Sequence, residues 1–180
     1  DAKTGEIVRE GMPANPSCHN VVRRFPVMHP PQRTLLGTHV FDYAQFHQSA
    51  TYVVPLEYIV RFGVTSGSSI LKKYQSLSDS AKRAYEQELG LSKPMGVWEM
   101  LERPIYDLTS KYEPEDRAVS KQEALLMSGL SGQDFLSTIK MAILGGWAVR
   151  ELLESAGLLL WDLKWEFAVD GDELLFVDTI

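Results

Sequence analysis

The sequence predicts an α+β fold, an antiparallel sheet with packed helices, and three observations carry that expectation. Residues 52–62, Tyr-Val-Val-Pro-Leu-Glu-Tyr-Ile-Val-Arg-Phe, are dense in β-branched and aromatic types, which suits a strand. The stretch from Leu158 to Asp178 alternates with period 2 on both sides of Asp170-Gly171-Asp172-Glu173, as a hairpin does. Between these two β regions, Ser120 with Glu123 and Ser131 with Asp134 have the spacing of capping boxes, so each opens a helix.

Composition limits the function classes. With 180 residues, 44% hydrophobic and 23% charged, the chain suits one globular domain with a sizeable core. A formal net charge of −6 argues against nucleic acid as a partner, because phosphate neutralisation needs a basic surface. Cys18 is the one cysteine, so no internal disulfide can form and a reducing, cytoplasmic setting is the simpler expectation. No apolar run approaches the roughly 20 residues that cross a bilayer, so no membrane partner is expected. The chain opens on Asp1 without a secretory signal, and it reads as a fragment of a longer polypeptide or as one that has lost disordered segments.

Residues 1–39 read as a loop-rich N-terminal segment. Gly5, Gly11, Pro13, Pro16, Pro26, Pro30 and Pro31 punctuate its first part, with a short extended piece at Val21–Phe25. His19, Arg23, Arg24 and His29 match no ligand spacing and read as a solvated loop. Val40–Phe46 gives weak strand or turn signals.

The strand at 52–62 places Glu57, Ile59 and Arg61 on one face and Leu56, Tyr58, Val60 and Phe62 on the other. Pro55 predicts an edge position or a bulge near its start. Gly63-Val-Thr65-Ser66-Gly67-Ser68-Ser69 follows, and then a short helix from Ile70. Strand, small polar loop and helix start is an arrangement that can hold a phosphate on backbone N–H groups and hydroxyls. Arg61 at the mouth, with Lys72 or Lys73 beyond, would neutralise it; a plain connector is the competing reading.

Ser78 to Leu89 reads as a polar helix capped by Gly90, and Pro104–Thr109 as a short strand running into a charged loop, Ser110 to Arg117. The helix opened by Ser131 extends to about Glu154, with Phe135, Ile139, Ala142, Ile143, Val149, Leu152 and Leu153 near one face. Gly145-Gly146 within it costs about 1 kcal/mol per glycine relative to alanine, which close approach of a neighbour would explain. Gly157 ends it.

In the C-terminal hairpin, Trp161, Leu163, Trp165, Phe167 and Val169 share a face, and Leu160, Asp162, Lys164, Glu166 and Ala168 share the other. Two carboxylates and an amine behind an apolar face suggest more than a solvated surface. If Glu166 and Asp178 lie side by side, they form a hard oxygen site suited to Mg²⁺ on a nucleotide phosphate. Parity sets the condition. A three-residue loop at Gly171-Asp172-Glu173 pairs 166 with 178, whereas a two-residue Asp170-Gly171 turn pairs 166 with 175. Pattern alone leaves both open, along with the reading of these carboxylates as ordinary solvated positions.

Three motifs, in order, carry a family resemblance. Asp162-Leu-Lys164-Trp-Glu166-Phe, then Val169-Asp170 and Leu174 to Asp178, resembles the "D-x-K-x-E-F-G-x-D … L-x-D-E" hairpin of the phosphoribosylaminoimidazole-succinocarboxamide (SAICAR) synthetases. Val54-Pro-Leu-Glu57-Tyr-Ile-Val-Arg61, Gly67-Ser68 and Leu71-Lys-Lys resemble that family's "I-P-L-E-x-V-V-R-x-x-x-x-G-S-x-x-K-R". Pro104-Ile-Tyr106, Thr109-Ser110-Lys111, Asp116, and Ser120 with Glu123 follow its central "P-x-x-x-x-T-K … D-E-x-I-S" region. The resemblance covers residues 40–180 and implies the larger substrate and Mg-ATP domain of an ATP-grasp-related fold.

It also implies an activity, an ATP-dependent ligase of de novo purine synthesis. Such an enzyme joins carboxyaminoimidazole ribonucleotide to L-aspartate through a carboxylate activated as an acyl phosphate, releasing ADP and phosphate. ATP and Mg²⁺ follow as cosubstrate and cofactor, the partners are small molecules, and a homo-oligomer is compatible. By position, Glu166 and Asp178 match the residues that hold Mg²⁺ and ATP, and Lys164 the hairpin lysine at the phosphates. Arg61 and Ser68 match the grip on the ribonucleotide 5′-phosphate. Lys111 and Asp116 match the central-loop residues near the reacting groups, so Lys111, Asp116 and Lys164 are the catalytic candidates.

Departures from the pattern bear on several of these. One additional residue separates Arg61 from Gly67-Ser68, which brings Ser66 and Ser69 in as alternative phosphate ligands. Ala168 replaces a glycine, and Thr179 an acidic residue. The N-terminal glycine-rich nucleotide lobe with its lysine, and the family's "S-x-R-x-W" finish, have no match in these residues. The expectation is therefore a substrate-side domain with half of an ATP site, not fully active alone. Two other readings follow: a related ATP- and Mg²⁺-dependent ligase or kinase on another substrate, or a non-catalytic nucleotide-binding domain. The favoured hairpin under the resemblance is the odd loop at Gly171–Glu173.

Overall fold

The computed structural model of the protein describes residues 23–178. The loop-rich reading of residues 1–22, with Cys18 and His19, and the departure at Thr179 lie outside the described residues. In chain order the elements are β1 (Gln32–Leu35), β2 (Thr38–Phe41), a 3₁₀ turn (Ala44–Gln48), β3 (Thr51–Val53), β4 (Leu56–Val64), α1 (Ser69–Ser76) and α2 (Asp79–Leu89). Next come β5 (Glu99–Ser110), α3 (Lys121–Ser128), α4 (Gly132–Ser155), β6 (Asp162–Asp170) and β7 (Glu173–Val177).

The α+β expectation holds. Strands β3 to β7 form one five-stranded sheet, antiparallel at every pairing. β4 lies between β5 and β6, so the strand at 52–62 is central and not an edge. Pro55 sits in the break between β3 and β4, both of which run along β6; there its missing N–H costs no ladder bond. Phe62 and Gly63 N–H both donate to the Trp161 carbonyl, at 2.8 and 3.0 Å, which makes a bulge late in β4.

Outside that sheet, β1 and β2 form an exposed hairpin turned by Leu36 and Gly37 at φ 49° and 78°. Its first strand falls in the segment read as loops. Two residues with positive φ make such a turn, and Leu-Gly is a weaker sequence signal for it than Asn-Gly.

The main core lies between the sheet and helices α3 and α4. Leu56, Tyr58, Val60 and Phe62 from β4 meet Trp165, Phe167 and Val169 from β6 beneath Phe135, Ile139 and Ala142 from α4. The glycine pair is explained here by aromatic rings and not by backbone. A Cβ on Gly145 would stand 3.0 Å from the Trp165 ring and one on Gly146 3.2 Å from the Phe62 ring, so a larger residue at either position requires these rings to give by a few tenths of an ångström. A second cluster, with Val64, Ile70, Leu71, Tyr74, Tyr85 and Ile105, fixes α1 and α2 near the end of β4.

The helix punctuation is as the sequence predicts. Ser120 and Ser131 accept from the N–H groups of Glu123 and Asp134, and Gly90 closes α2 in the left-handed conformation; Ser78, read as the first residue of α2, is its N-cap and accepts from Ala81 N–H. Among the described residues, no helix is long and apolar enough to cross a membrane.

The hairpin register is where the expectation fails. Asp170 pairs with Glu173 and Glu166 with Val177, so the loop is Gly171-Asp172. It is neither the odd loop Gly171–Glu173 nor the Asp170-Gly171 turn. Two contacts explain the choice. Thr51 Oγ1 donates to Asp170 Oδ1 at 2.9 Å and Arg23 pairs with the same carboxylate, keeping Asp170 in the strand. Gly171, with φ 61°, then takes the first turn position, where a type II′ turn requires glycine.

Candidate functional site

The face of the sheet opposite α4 carries the predicted residues. Cross-strand pairing sets Glu57 against Thr109, Ile59 against Asp107 and Lys164, and Arg61 against Asp162. Residues from three separated segments therefore line one surface, because alternation turns them all away from the core.

Arg61 is the buried anchor at one end, only 5% exposed. Its Nε donates to Asp107 Oδ2 at 2.9 Å, Nη1 to Asp162 Oδ2 at 3.0 Å, and Nη2 to Ser69 Oγ at 3.0 Å. The sequence places Arg61 at the mouth of the loop; the structure sinks it beneath two carboxylates, which are 32% and 43% exposed. Beside it, Ser68 occupies the N-cap position of α1, yet its hydroxyl makes no cap bond and is buried without a partner. An unsatisfied buried hydroxyl at a helix N-terminus, with a guanidinium next to it, has the chemistry of an anion site. Ser69 reaches Arg61 directly, and Ser66 lies exposed in the preceding turn.

Midway along the face stands Glu57, 5% exposed and absent from the sequence-derived candidates. Its carboxylate accepts from Lys164 Nζ and, at 3.1 Å, from Thr109 Oγ1. A buried carboxylate requires such partners. The pairing holds the Lys164 pKa above the ordinary lysine value, chiefly through the Glu57 hydrogen bond, with burial opposing it and Glu166 and Asp116 adding to the rise. Asp116 is thus within electrostatic reach of Lys164 while exposed on its loop.

At the other end Lys111 pairs with Glu166, whose side chain is 7% exposed. Burial, then the Glu166 charge, pushes the neighbouring Tyr112 hydroxyl up to about 12. Lys111, Tyr112, Glu166 and Asp178 border one open cavity, and Phe25, Val27, Val53 and Leu175 supply an apolar wall to it. Glu166 and Asp178 therefore meet at the same cavity although they are not cross-strand neighbours. Asp178 follows the last paired residue, and its φ of 71° breaks the alternation that parity assumes.

A metal held at this face would find its ligands in this set. Among the described residues no group of three or more His, Cys, Asp or Glu side chains forms a ready cage. Two carboxylates at a cavity fit Mg²⁺ in the form that takes most of its coordination from nucleotide phosphates and water. The donor chemistry therefore fits a metal–nucleotide better than a bare structural ion.

Charge pairing runs through the whole face. Arg61, Lys111 and Lys164 each have a carboxylate partner, and Glu57, Asp107, Asp162 and Glu166 are those partners. Sequence reading missed Glu57, Asp107 and Asp162 as site residues. Part of the signal was present in the alternation that puts Glu57 with Arg61 and Asp162 with Lys164; the pairing itself depends on strand order.

Known proteins share this sequence pattern and fold. A family model described as SAICAR synthetase matches residues 28–180. The phosphoribosylaminoimidazole-succinocarboxamide synthase of Thermoplasma volcanium is 29% identical over 161 residues, covering 88% of this chain and 47% of that protein. The enzyme of the same name from Thermoplasma acidophilum is 32% identical over 138 residues, covering 73% of this chain and 42% of its own. Among solved structures, a SAICAR synthetase in complex with ADP superposes with a TM-score of 0.52 at 25% identity, over 71% of this chain and 46% of that one. The chain thus spans less than half the length of these proteins.

Proposed function

The chain belongs to the SAICAR synthetase family, and from that premise we propose that it serves an ATP-dependent ligase joining carboxyaminoimidazole ribonucleotide to L-aspartate, with ADP and phosphate released. One observation carries the reading. Arg61 with Ser68 and Ser69, Lys111 with Glu166, and Lys164 line a single sheet face at the positions of the family's three motifs, with Asp178 at the same cavity as Glu166. The named relatives and the ADP complex support a nucleotide-using reaction of this kind.

The chemistry needs activation because a carboxylate resists attack by an amine. A carboxylate oxygen of the imidazole substrate attacks the γ-phosphorus of ATP, forming an acyl phosphate and expelling ADP. The aspartate amine then attacks the acyl carbon, the amide bond forms, and phosphate leaves. Arg61, Ser68 and the α1 N-terminus hold the ribonucleotide 5′-phosphate, with Ser69 or Ser66 as its second hydroxyl. For that, the phosphate must share Arg61 with Asp107 and Asp162. Lys111 and Lys164 orient the transferring phosphate by charge, each on a buried carboxylate that fixes its position. Asp116 takes the amine proton. Glu166 and Asp178 are the residues to hold Mg²⁺, which when bound neutralises phosphate charge. The apolar wall at Phe25, Val27 and Val53 suits the base of the nucleotide. The single cysteine, Cys18, fits a cytoplasmic setting.

The test is ADP release by the intact protein with Mg²⁺. Release that requires both the imidazole carboxylate and aspartate supports the ligase. Release with another amine moves the assignment to a related ligase, and no release under any pairing sinks it.

A further inference from the structure

The loop that carries Lys111 and Asp116 is fastened by contacts that neither the catalytic candidates nor the core requires. Its ends are tied by backbone. Ser110 N–H donates to the Arg117 carbonyl at 2.9 Å, and Arg117 N–H donates to Ser110 Oγ at 3.1 Å. Its middle is tied by Glu113, whose side chain is only 7% exposed in an otherwise charged, solvent-facing segment.

Arg117 grips Glu113 with a fork, Nε to Oε2 and Nη2 to Oε1, both at 2.9 Å. Its remaining nitrogen, Nη1, pairs with Glu123 Oε1 of α3 at 2.8 Å. Tyr43, just before the 3₁₀ turn, donates its hydroxyl to Glu113 Oε1 at 2.8 Å. The result joins the loop to two separate elements, to the segment before the 3₁₀ turn through Glu113 and to α3 through Arg117. Bidentate, charge-assisted bonds of this kind fix geometry where single exposed ion pairs do not. A surface excursion with no role in the site would have no need of a Glu113–Arg117 pair tied both to Tyr43 and to Glu123 of α3.

We infer that Tyr43, Glu113 and Arg117 form a clasp that positions the 111–117 loop, and through it sets where Lys111 meets Glu166 and where Asp116 stands. These are positioning residues, since none of them faces the cavity. The catalytic half of the inference rests on the ligase reading above; the structural half does not.

The test compares Y43F, R117K and R117A with the unaltered intact protein, using K93A, which loses an exposed ion pair elsewhere, as control. Hydrogen exchange of ligand-free protein reads the loop. Residues 111–117 should exchange roughly tenfold faster in R117A, with R117K intermediate, Y43F least affected, and α4 and K93A unchanged. Steady-state kinetics reads the site. The KM for Mg-ATP should rise about tenfold in R117A while the KM for the ribonucleotide, held at the far end by Arg61, stays within about twofold. Simple loss of folded protein would lower the apparent kcat and split neither KM from the other. Loop exchange unchanged in R117A overturns the clasp, and so does an unsplit KM in an active enzyme. If the unaltered protein releases no ADP, the ligase reading fails, and the exchange result alone then decides the clasp.

Discussion

The two faces of one sheet are built from the same strands and follow opposite rules. Beneath α4, β4 and β6 present Tyr58, Val60, Phe62, Trp165 and Phe167, and order comes from packing. One residue along each strand, Glu57, Arg61, Lys164 and Glu166 present charges, and order comes from pairing. Period-2 alternation generates both faces from one stretch of sequence. Packing is indifferent to which ring touches which, provided volume is conserved. Pairing is not, because each buried charge removed strands its partner.

Substitutions should separate these roles. The largest effect is expected on the charged side. Glu166→Gln keeps shape and removes charge, so turnover should fall by about a thousandfold or more, equivalent to ~4 kcal/mol in the transition state, with modest loss of ribonucleotide binding. Its stability should drop by only about 1–2 kcal/mol, since Lys111, 21% exposed, can turn to water. Near-normal turnover would remove Glu166 from the metal and nucleotide set. Phe167→Ala is the counterpart on the packed side. Phe167 is fully buried against Tyr58 and Phe176, with ring centroids 4.9 Å away in each case. Urea unfolding should show a loss of about 3–5 kcal/mol. A loss below about 1 kcal/mol would mean that α4 can collapse onto the gap.

Much of this division could be read in the sequence. The alternation of 56–62 and 163–169 was enough to say which side chains share a face, because β geometry leaves no choice once the strand is known; it failed ahead of β6, where Leu160 joins the core and Trp161 packs on Trp98. Serine caps at 120 and 131 and the glycine stop at 90 located the helices for a similar local reason. What escaped depended on contacts distant in sequence. The hairpin turned at Gly171-Asp172 because Thr51 and Arg23 hold Asp170, and neither is adjacent to the turn. Glu57 emerged as the partner of Lys164 only once β4 and β6 were known to be neighbours. Glu113 read as one charge in an acidic loop; its burial depends on Tyr43, 70 residues earlier.

The smallest effect tests whether pairing outside the sheet obeys the same rule as pairing on it. Arg117 hydrogen bonds hold the Glu113 carboxyl below the usual carboxylate range, with burial opposing and Tyr43 assisting. A carboxylate with a depressed folded-state pKa stabilises the fold above its unfolded value, and that contribution fades as pH falls through the folded value. Between pH 5 and 8 the clasp should therefore be insensitive to pH, and loop exchange corrected for intrinsic rates should stay flat. As pH falls below the ordinary carboxylate range, protonation of Glu113 should release Arg117 and Tyr43, and protection of 111–117 should decline before that of α4. Glu113→Gln should lack this acid step and show the loosened loop already at pH 7. If the variant instead retains the step, another carboxylate governs the loop, and Glu123, the second partner of Arg117, is the one to replace next.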